Sequence, residues 1–539
     1  MSRGERAQAP EWLLDAVVLA GLAALAIAIY LSLGDRTALD CDVANLALGI
    51  ERFDPRQHQP HPPGYLGYVL LLRALHAMVG LTLLDTTRLA SRLFALATIP
   101  LLWAAGRALC PQDRSVARVA ALLAATNPIL LYYGVDGQTH SAEAAMAAAL
   151  LWALVSPRMR ATRSGALVYG LLLAFGGSLR PSYALVSVLP VLYVLWPDWK
   201  RIALTAIVAA LGTLAWLIPT AILSGGWHTY RLANDVLVGA FIRMTSVFSP
   251  EHDPRLLALN LRDTLHWTVV ALAAPALALL AGLLSKKRAS AEASRAGVLL
   301  ALTAAPAIPF YALILCAEAG YLAGLVPVAA LTCAALLAGS ADRPRLMRLM
   351  PAAIVLLQLG FFAFAPSQLG RTFMTPSAPE IISRELRARL LYAAIDDGAA
   401  PGDRQLVVSD YPSQTLLRQL PLLEPSIGVL FLHPLFFTRH AGSHTKSTIS
   451  YATRHGWLPA PGPALNADGD RPGITTSDRF DWVVIDPRAS NEFRALLARQ
   501  TTCPIAPKDE RFLAPRLRPS CFSGGRISLG DYWLRFAAR

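Results

Sequence analysis

Apolar runs recur through roughly the first two-thirds of the chain, at about residues 12–33, 86–108, 116–133, 138–155, 165–179, 182–197, 201–222, 265–285, 296–316, 321–339 and 349–365. About 20 apolar residues cross the hydrocarbon core of a bilayer, so these runs predict about eleven transmembrane helices. A further apolar segment, 64–80, carries Arg73 and His76 in its middle. It reads as a re-entrant or juxtamembrane helix on the outer face. The basic clusters Arg107/Arg114/Arg118, Arg158/Arg160/Arg163, Lys200/Arg201, Lys286/Lys287/Arg288 and Arg343/Arg345/Arg348 fall at alternate connections. All of them face the cytoplasm together only if 64–80 does not cross. The amino-terminal MSRGERAQAP carries Arg3 and Arg6 and no evident small-residue cleavage site. It reads as the cytoplasmic flank of a retained signal anchor.

Beyond Pro366 the pattern becomes that of a water-soluble layer. QLVVSD near 405–410 and FDWVVIDP near 480–487 read as buried strands, with helical patterns over 380–397 and 490–500. The stretch 455–478, rich in proline, glycine and aspartate, reads as a surface loop. The predicted organisation is a membrane module over 1–366, with outer loops 34–80 and 224–266, followed by an extracytoplasmic α/β domain over 367–539. Cys503 and Cys521 are the only cysteines of that domain, so a disulfide is expected in an oxidising compartment. Cys41, Cys110, Cys316 and Cys333 lie in or beside spans and show no metal-ligand spacing.

Composition sharpens the picture. At 54% hydrophobic and 16% charged residues the chain is no ordinary soluble protein. The net charge of +13 sits largely in the clusters between spans, so topology accounts for it and nucleic acid need not. No nucleic-acid motif, phosphate-cradling glycine loop, zinc motif, serine nucleophile elbow or internal repeat is evident.

The unusual chemistry gathers between Gly34 and Tyr68. Asp40 and Asp42 follow the first apolar run; carboxylates at the water edge of a membrane cavity can act as a general base or hold a cation. Ala44, Leu46, Ala47, Leu48 and Ile50 recur at roughly helical spacing with Glu51 and Arg52 off that face, which predicts a short amphipathic interfacial helix. In His58-Gln59-Pro60-His61-Pro62-Pro63-Gly64-Tyr65 the prolines predict a stiff, extended segment that fixes both imidazoles. An interfacial loop with a helix stop fits the same residues.

Other polar positions fall at the same face. Tyr132–His140 brings Asp136 and His140 there, either as site residues or as a turn capped by Thr139 or Ser141. Arg180, in GGSLRPSY, either clamps a phosphate or snorkels toward lipid headgroups. The loop 224–266, rich in aromatic and basic residues, suits an ordering lid; its Arg231 and Arg243 are phosphate candidates or rest on anionic headgroups. Glu318 and Tyr321 lie between two late spans, the acid as a site or capping residue and the tyrosine as a sugar-stacking or interfacial ring.

The acid followed by NLALGIERFDPRQHQPHPPGYLGYVLLLR resembles membrane glycosyltransferases of the GT-C superfamily, in particular the protein O-mannosyltransferases and the aminoarabinose transferases of lipid A. That resemblance implies a catalytic carboxylate in the first extracytoplasmic loop and a donor sugar carried on a polyprenyl phosphate. Asp42 matches best, three residues before Asn45 in D-x-x-N-x-A-L, and Asp40 is second. Val43 stands where many members have a second acid. Tyr132–His140 is similar to a YYS-x-E-A-R stretch, with Asp136 near the acid, and Gly320 to Pro327 to a late-helix motif that lines the donor groove. The implied enzyme sits in a bacterial inner membrane, needs no cofactor, and leaves open a divalent cation on Asp40 and Asp42. Its partners are the polyprenyl-phosphate sugar, an extracytoplasmic acceptor and membrane lipid. A lipid-linked polysaccharide ligase or polymerase, a transporter and a non-catalytic scaffold are the alternatives; a transporter would place ionisable groups near the midplane, often in repeated halves.

Overall fold

The apolar runs form helices whose ends are set by local signals. A computed structural model describes residues 11–33, 37–250, 252, 254–284, 290–315, 318–337, 345–367, 375–397, 399–410, 414–433, 448–454, 456–459, 473–505, 514–529 and 532–538. The first eleven helices are α1 (Glu11–Leu33), α2 (Cys41–Glu51), α3 (Leu66–Val79), α4 (Leu83–Leu109), α5 (Arg114–Ala125), α6 (Pro128–Asp136), α7 (His140–Val155), α8 (Pro157–Ala161), α9 (Arg163–Leu179), α10 (Tyr183–Leu195) and α11 (Trp199–Leu223). They are followed by α12 (Trp227–Asn234), α13 (Ala240–Thr245), α14 (Pro254–Leu284), α15 (Ala291–Leu313), α16 (Val326–Leu337) and α17 (Arg345–Phe364).

Among the described residues seven helices are long and apolar enough to cross a membrane, or eight if α5 and α6, bent by 52°, form one broken span. The break has a local cause. Asn127 accepts the amide of Ile129 at 3.0 Å and Pro128 opens the second segment, which starts a new helix instead of continuing the first. At 14 residues α3 is about 21 Å long, short of the roughly 30 Å core, and it stops at Gly80 in the left-handed region. Its Arg73, read as a sign of incomplete crossing, donates to the carbonyls of Ile50 at 2.8 Å and Gly49 at 3.2 Å and so caps the end of α2. The predicted loop 224–266 is largely helical, and α14 starts at Pro254, eleven residues before the expected span. The basic residues Lys286, Lys287, Arg288 and Arg343, with Cys316 and residues 1–10, lie outside the described residues.

Helices pack where small side chains let backbones meet. A methyl group at Gly106 of α4 would stand 2.5 Å from the Cα of Ala117 in α5, and one at Gly170 of α9 would stand 2.8 Å from the Thr205 carbonyl of α11. Arg114 and Arg118 of α5 reach Asp15 of α1 at 3.0 and 2.6 Å, pairing a buried acid at the start of the first span. α7 is buried on nearly every side and forms the centre of the bundle.

The C-terminal region comprises α18 (Ala378–Asp396), β1 (Gln405–Ser409), α19 (Gln414–Leu423), β2 (Ile427–His433), β3 (Thr448–Thr453), β4 (Gly456–Pro459), β5 (Gly473–Phe480), β6 (Trp482–Ile485), α20 (Asn491–Ala498), β7 (Arg516–Leu517), β8 (Arg526–Leu529) and β9 (Tyr532–Ala538). A six-stranded sheet runs β4-β3-β2-β1-β6-β7, and a three-stranded one β5-β9-β8. The two strands expected from their apolar runs, β1 and β6, are parallel neighbours at its centre, with Val407 facing Val484. Part of 455–478, expected as a loop, instead forms β4 and β5; alternating Thr-Thr-Ser-Asp-Arg polarity hid a strand that β9 pairs along one edge. Cys503 and Cys521 form the expected disulfide.

One difference matters most for function. α2 is not an interfacial amphipathic helix, for Val43 to Ile50 are all buried. α19 packs against α2, with Arg418 on Asn45, while Glu51 and Arg52 at the end of α2 stay exposed as the pattern predicts. For the bundle itself, Gly106→Ala is expected to cost about 1–3 kcal/mol through overpacking, read as a lower thermal midpoint of the detergent-solubilised protein. An unchanged midpoint would contradict the close contact of α4 with α5.

Candidate active site

The site is built on the first turn of α2. Asp40 is the N-cap, its side chain accepting the Asp42 amide at 2.9 Å. A helix N-terminus favours negative charge by about 0.3–1 kcal/mol, less than the desolvation it opposes here. Burial and the neighbouring Asp42 carboxylate push Asp40 up to about 6, against the backbone amide of Asp42 and the charge of Arg384. Burial likewise pushes Asp42 up to about 6, against the pull of Arg180 and hydrogen bonds from Cys41 and Asn45. The Cys41 thiol lies between them, 3.5 Å from Asp40 Oδ1 and 3.7 Å from Asp42 Oδ1. Ligand atoms of these three residues lie within 4.8 Å of one another, so this is where a divalent cation would be held.

The proline-rich segment delivers the imidazole, though not as an extended rod. Pro55–Gln57 is a 3-10 turn, and His58 and Tyr65 both adopt left-handed φ, at 54° and 44°. That conformation is unusual for side chains of this size. The resulting turn aims His61 Nδ1 at Asp42 Oδ1, 3.2 Å away, while Nε2 stands 3.1 Å from the Tyr65 hydroxyl. Burial, with the charge of Arg180, lowers His61 to about 4, so the ring is neutral at neutral pH. The contact is therefore dipolar, and Asp42 carries its charge without a cation at 3 Å. Its side chain keeps 35% exposure, enough for a reactant to reach it. His58 caps the 3-10 turn and its ring is half-buried.

Arg180 caps the end of α9 and is buried, neither snorkelling nor lying open at headgroup level. Its Nε reaches Glu143 Oε2 at 2.7 Å and Ser182 Oγ at 3.0 Å, its Nη1 donates to Thr139 Oγ1 at 2.7 Å, and the guanidinium stands 5.1 Å from the centre of the Tyr321 ring. Thr139 thus serves Arg180 and makes no capping bond. Glu143 of α7 was not anticipated. Its signal was available, since it stands in the first turn of α7, within the apolar run 138–155, and an acid there marks a functional cavity by default.

Around this core stand further expected residues. Tyr321 stacks on Tyr311 at 5.0 Å and faces His140 at 5.6 Å, which in turn lies 4.4 Å from Tyr133. His140 is fully buried and its ring fills the space where Gly320 lacks a side chain, with a would-be methyl only 2.6 Å away. Asp136 ends α6, fully buried, with neither carboxylate oxygen hydrogen-bonded among the described residues and with Asp40, Arg384 and Arg88 as its charged surroundings. Glu318 precedes a 3-10 turn over Ala319–Leu325; burial, then Asp40 and Asp42, push its carboxyl well up. Arg231 is exposed on α12, and Arg243 on α13 pairs with Asp235 at 2.8 Å. The cations acting on the acid pair are instead Arg384 and Arg180.

This arrangement has a counterpart among solved structures. ArnT from Cupriavidus metallidurans in the apo state superposes with a TM-score of 0.57 at 13% identity, covering 95% of this chain and 100% of that one. The same protein bound to undecaprenyl phosphate gives 0.54 at 15% identity, over 93% and 97% of the two chains. The chain has the GT-C fold. The arabinosyltransferase EmbB from Mycobacterium smegmatis gives 0.37 at 14% identity, over 80% of this chain and 46% of that one. No family model matches the sequence, and no curated protein matches it. The likeness is therefore one of fold, over nearly the whole length of both chains.

Two outcomes test this site. Removing one partner of a buried ion pair costs about 3–5 kcal/mol, so Glu143→Ala and Arg180→Ala should each lower the thermal midpoint strongly. The double variant should cost much less than their sum, and additivity would deny the pair. The second concerns Asp40, whose folded carboxyl lies above the ordinary 3.8. A raised acid favours the fold when protonated and loses that contribution as pH climbs from 3.8 through about 6. Asp40→Asn keeps a good N-cap and should raise the midpoint at pH 7.5 but not at pH 4.

Proposed function

We propose that this chain is a membrane glycosyltransferase that moves a sugar from a polyprenyl-phosphate donor to an acceptor on the extracytoplasmic side of a bacterial inner membrane, with the C-terminal domain on that side. The observation that carries this reading is Asp42, an accessible carboxylate at about 6 in buried surroundings, held on a helix N-terminus with a neutral imidazole on one side and Arg180 acting on it. A general base poised near working pH has this form. Undecaprenyl phosphate is the ligand of the ArnT structure that shares this fold, which supports a lipid-phosphate donor.

In the reaction Asp42 takes the proton of an acceptor hydroxyl or amine, and the acceptor oxygen or nitrogen attacks the anomeric carbon. The bond from that carbon to the phosphate oxygen breaks, its electron pair leaving with the lipid phosphate. A single displacement inverts the anomeric centre. Arg180 supplies positive charge where the phosphate develops negative charge, and it is preorganised by Glu143, Ser182 and Thr139, so it does not reorient during the step. Half-buried Tyr321 is the ring offered to a sugar, with buried Tyr311 stacked behind it. Leu151, Val186, Pro190, Leu299 and Gly324 line a small apolar crevice that adjoins Glu143. Were a divalent cation held at Asp40, Cys41 and Asp42, Asp42 would be its ligand and not the base, and the ion would supply positive charge to the leaving phosphate.

Membranes supplied with radiolabelled polyprenyl-phosphate monosaccharides should transfer label with wild type and lose it with Asp42→Asn. Because the base acts unprotonated, kcat/KM should fall about tenfold per pH unit below about 6 and level off above. Full activity in Asp42→Asn would remove the assignment, and no transfer from any monosaccharide donor would favour an oligosaccharide donor or a transport role.

A further inference from the structure

The segment bearing the two acids is held by residues near the other end of the chain. Arg384 of α18 donates from Nη1 to the Leu39 carbonyl at 2.9 Å across 345 residues, its Nε fixed by Glu380 at 2.6 Å. Gln419 of α19 donates to the Ala38 carbonyl, 381 residues away. Between them stands Arg418, fully buried, which donates from Nε to Asn45 Oδ1 at 2.9 Å, from Nη1 to the Thr453 carbonyl at 3.1 Å and from Nη2 to the Gln57 carbonyl at 3.4 Å. One guanidinium therefore joins α19, the end of β3, the 3-10 turn before His61, and α2.

The bond to Asn45 has a chemical consequence. An amide side chain has an acceptor end and a donor end. With its oxygen held by Arg418, Asn45 has its NH2 to offer to Asp42, which stands three residues earlier on the same helix. Arg384 acts on the other acid, as the cation nearest in effect to Asp40. The remaining groups facing Asp40 are Asp42 and Cys41 on its own helix, His61 of the loop, Asp136 and Tyr132 of α6, and Glu318 before α16. Arg384 and Arg180 are the two cations that offset the pair's negative charge, and Arg384 is the one the C-terminal domain supplies. A domain that merely covered a cavity would not require a guanidinium as fully buried as that of Arg418, whose desolvation is costly.

We infer that Arg384 and Arg418 are positioning residues of the transferase: the C-terminal domain completes the active centre by orienting Asp42 through Asn45 and by setting a positive charge beside Asp40. This inference rests on Asp42 being the base. Partners that orient a reacting ligand typically matter by about 10–100-fold when removed.

The test uses full-length protein in membranes with Arg418→Met, Arg418→Lys, Arg384→Met and Arg384→Lys. Arg418→Met should lower kcat about tenfold or more while leaving the donor KM unchanged, and N-ethylmaleimide should alkylate Cys41 faster than in wild type, read by peptide mass with Cys110 and Cys333 as internal references. Arg384→Met, which frees the Leu39 carbonyl, should likewise lower kcat with the donor KM unchanged, and Arg384→Lys should restore part of it. Wild-type kcat in both methionine variants would overturn the inference, as would kcat, KM and thermal midpoint failing together with no benefit from lysine. If wild type itself transfers nothing from any donor, the glycosyltransferase reading fails, and unaltered Cys41 labelling in Arg418→Met would then separately end the positioning role.

Discussion

Taking a carboxylate out of water is costly, and this chain does so with two of them at the start of one buried helix. Much of the structure can be understood as arranging surroundings for that pair. The helix N-terminus, the Asp42 amide and the distant charges of Arg180 and Arg384 keep ionisation within reach of neutral pH. None of these is placed as a tight counterion to Asp42. A guanidinium bonded directly to it would fix the charge and remove its basicity, whereas Arg180 is bonded to Glu143 and acts on Asp42 only at range.

The bundle and the terminal domain share this work unequally. α7 and α9 supply the Glu143–Arg180 pair, an internal ion pair that holds a cation in a fixed place in low dielectric. α3 fastens the far end of α2 through Arg73. The domain beyond the last span fastens the near end through side chain to main chain bonds, which hold backbone position whatever the protonation of the acids. Rigid support at both termini of an eleven-residue helix leaves its first-turn side chains little freedom.

How much of this could be read in advance depended on whether the signal was local. Spans follow from apolar length, and the broken pair α5–α6 and the short α3 each carry their own proline, asparagine or glycine signal. Asp40, Asp42, His61 and Tyr65 lie within one short segment, so their chemistry could be recognised there, although the turn geometry that aims His61 could not. The amphipathic reading of α2 failed because periodicity reports which face is apolar and cannot report what covers the other. Glu143 carried a local signal that went unused. Arg384 and Arg418 carried none: each looks like an ordinary arginine on a soluble helix, and only tertiary contact across 345 and 373 residues reveals what it touches.

That separation also bears on how the protein is made. The acids emerge near the start of synthesis, but the residues that hold their backbone follow only after every span has entered the bilayer. An incompletely translated or partly inserted chain thus exposes Asp40 and Asp42 on a helix lacking its cover, in water rather than in protein, where they are ordinary acids. The centre is therefore organised only once the last domain has folded against the first loop.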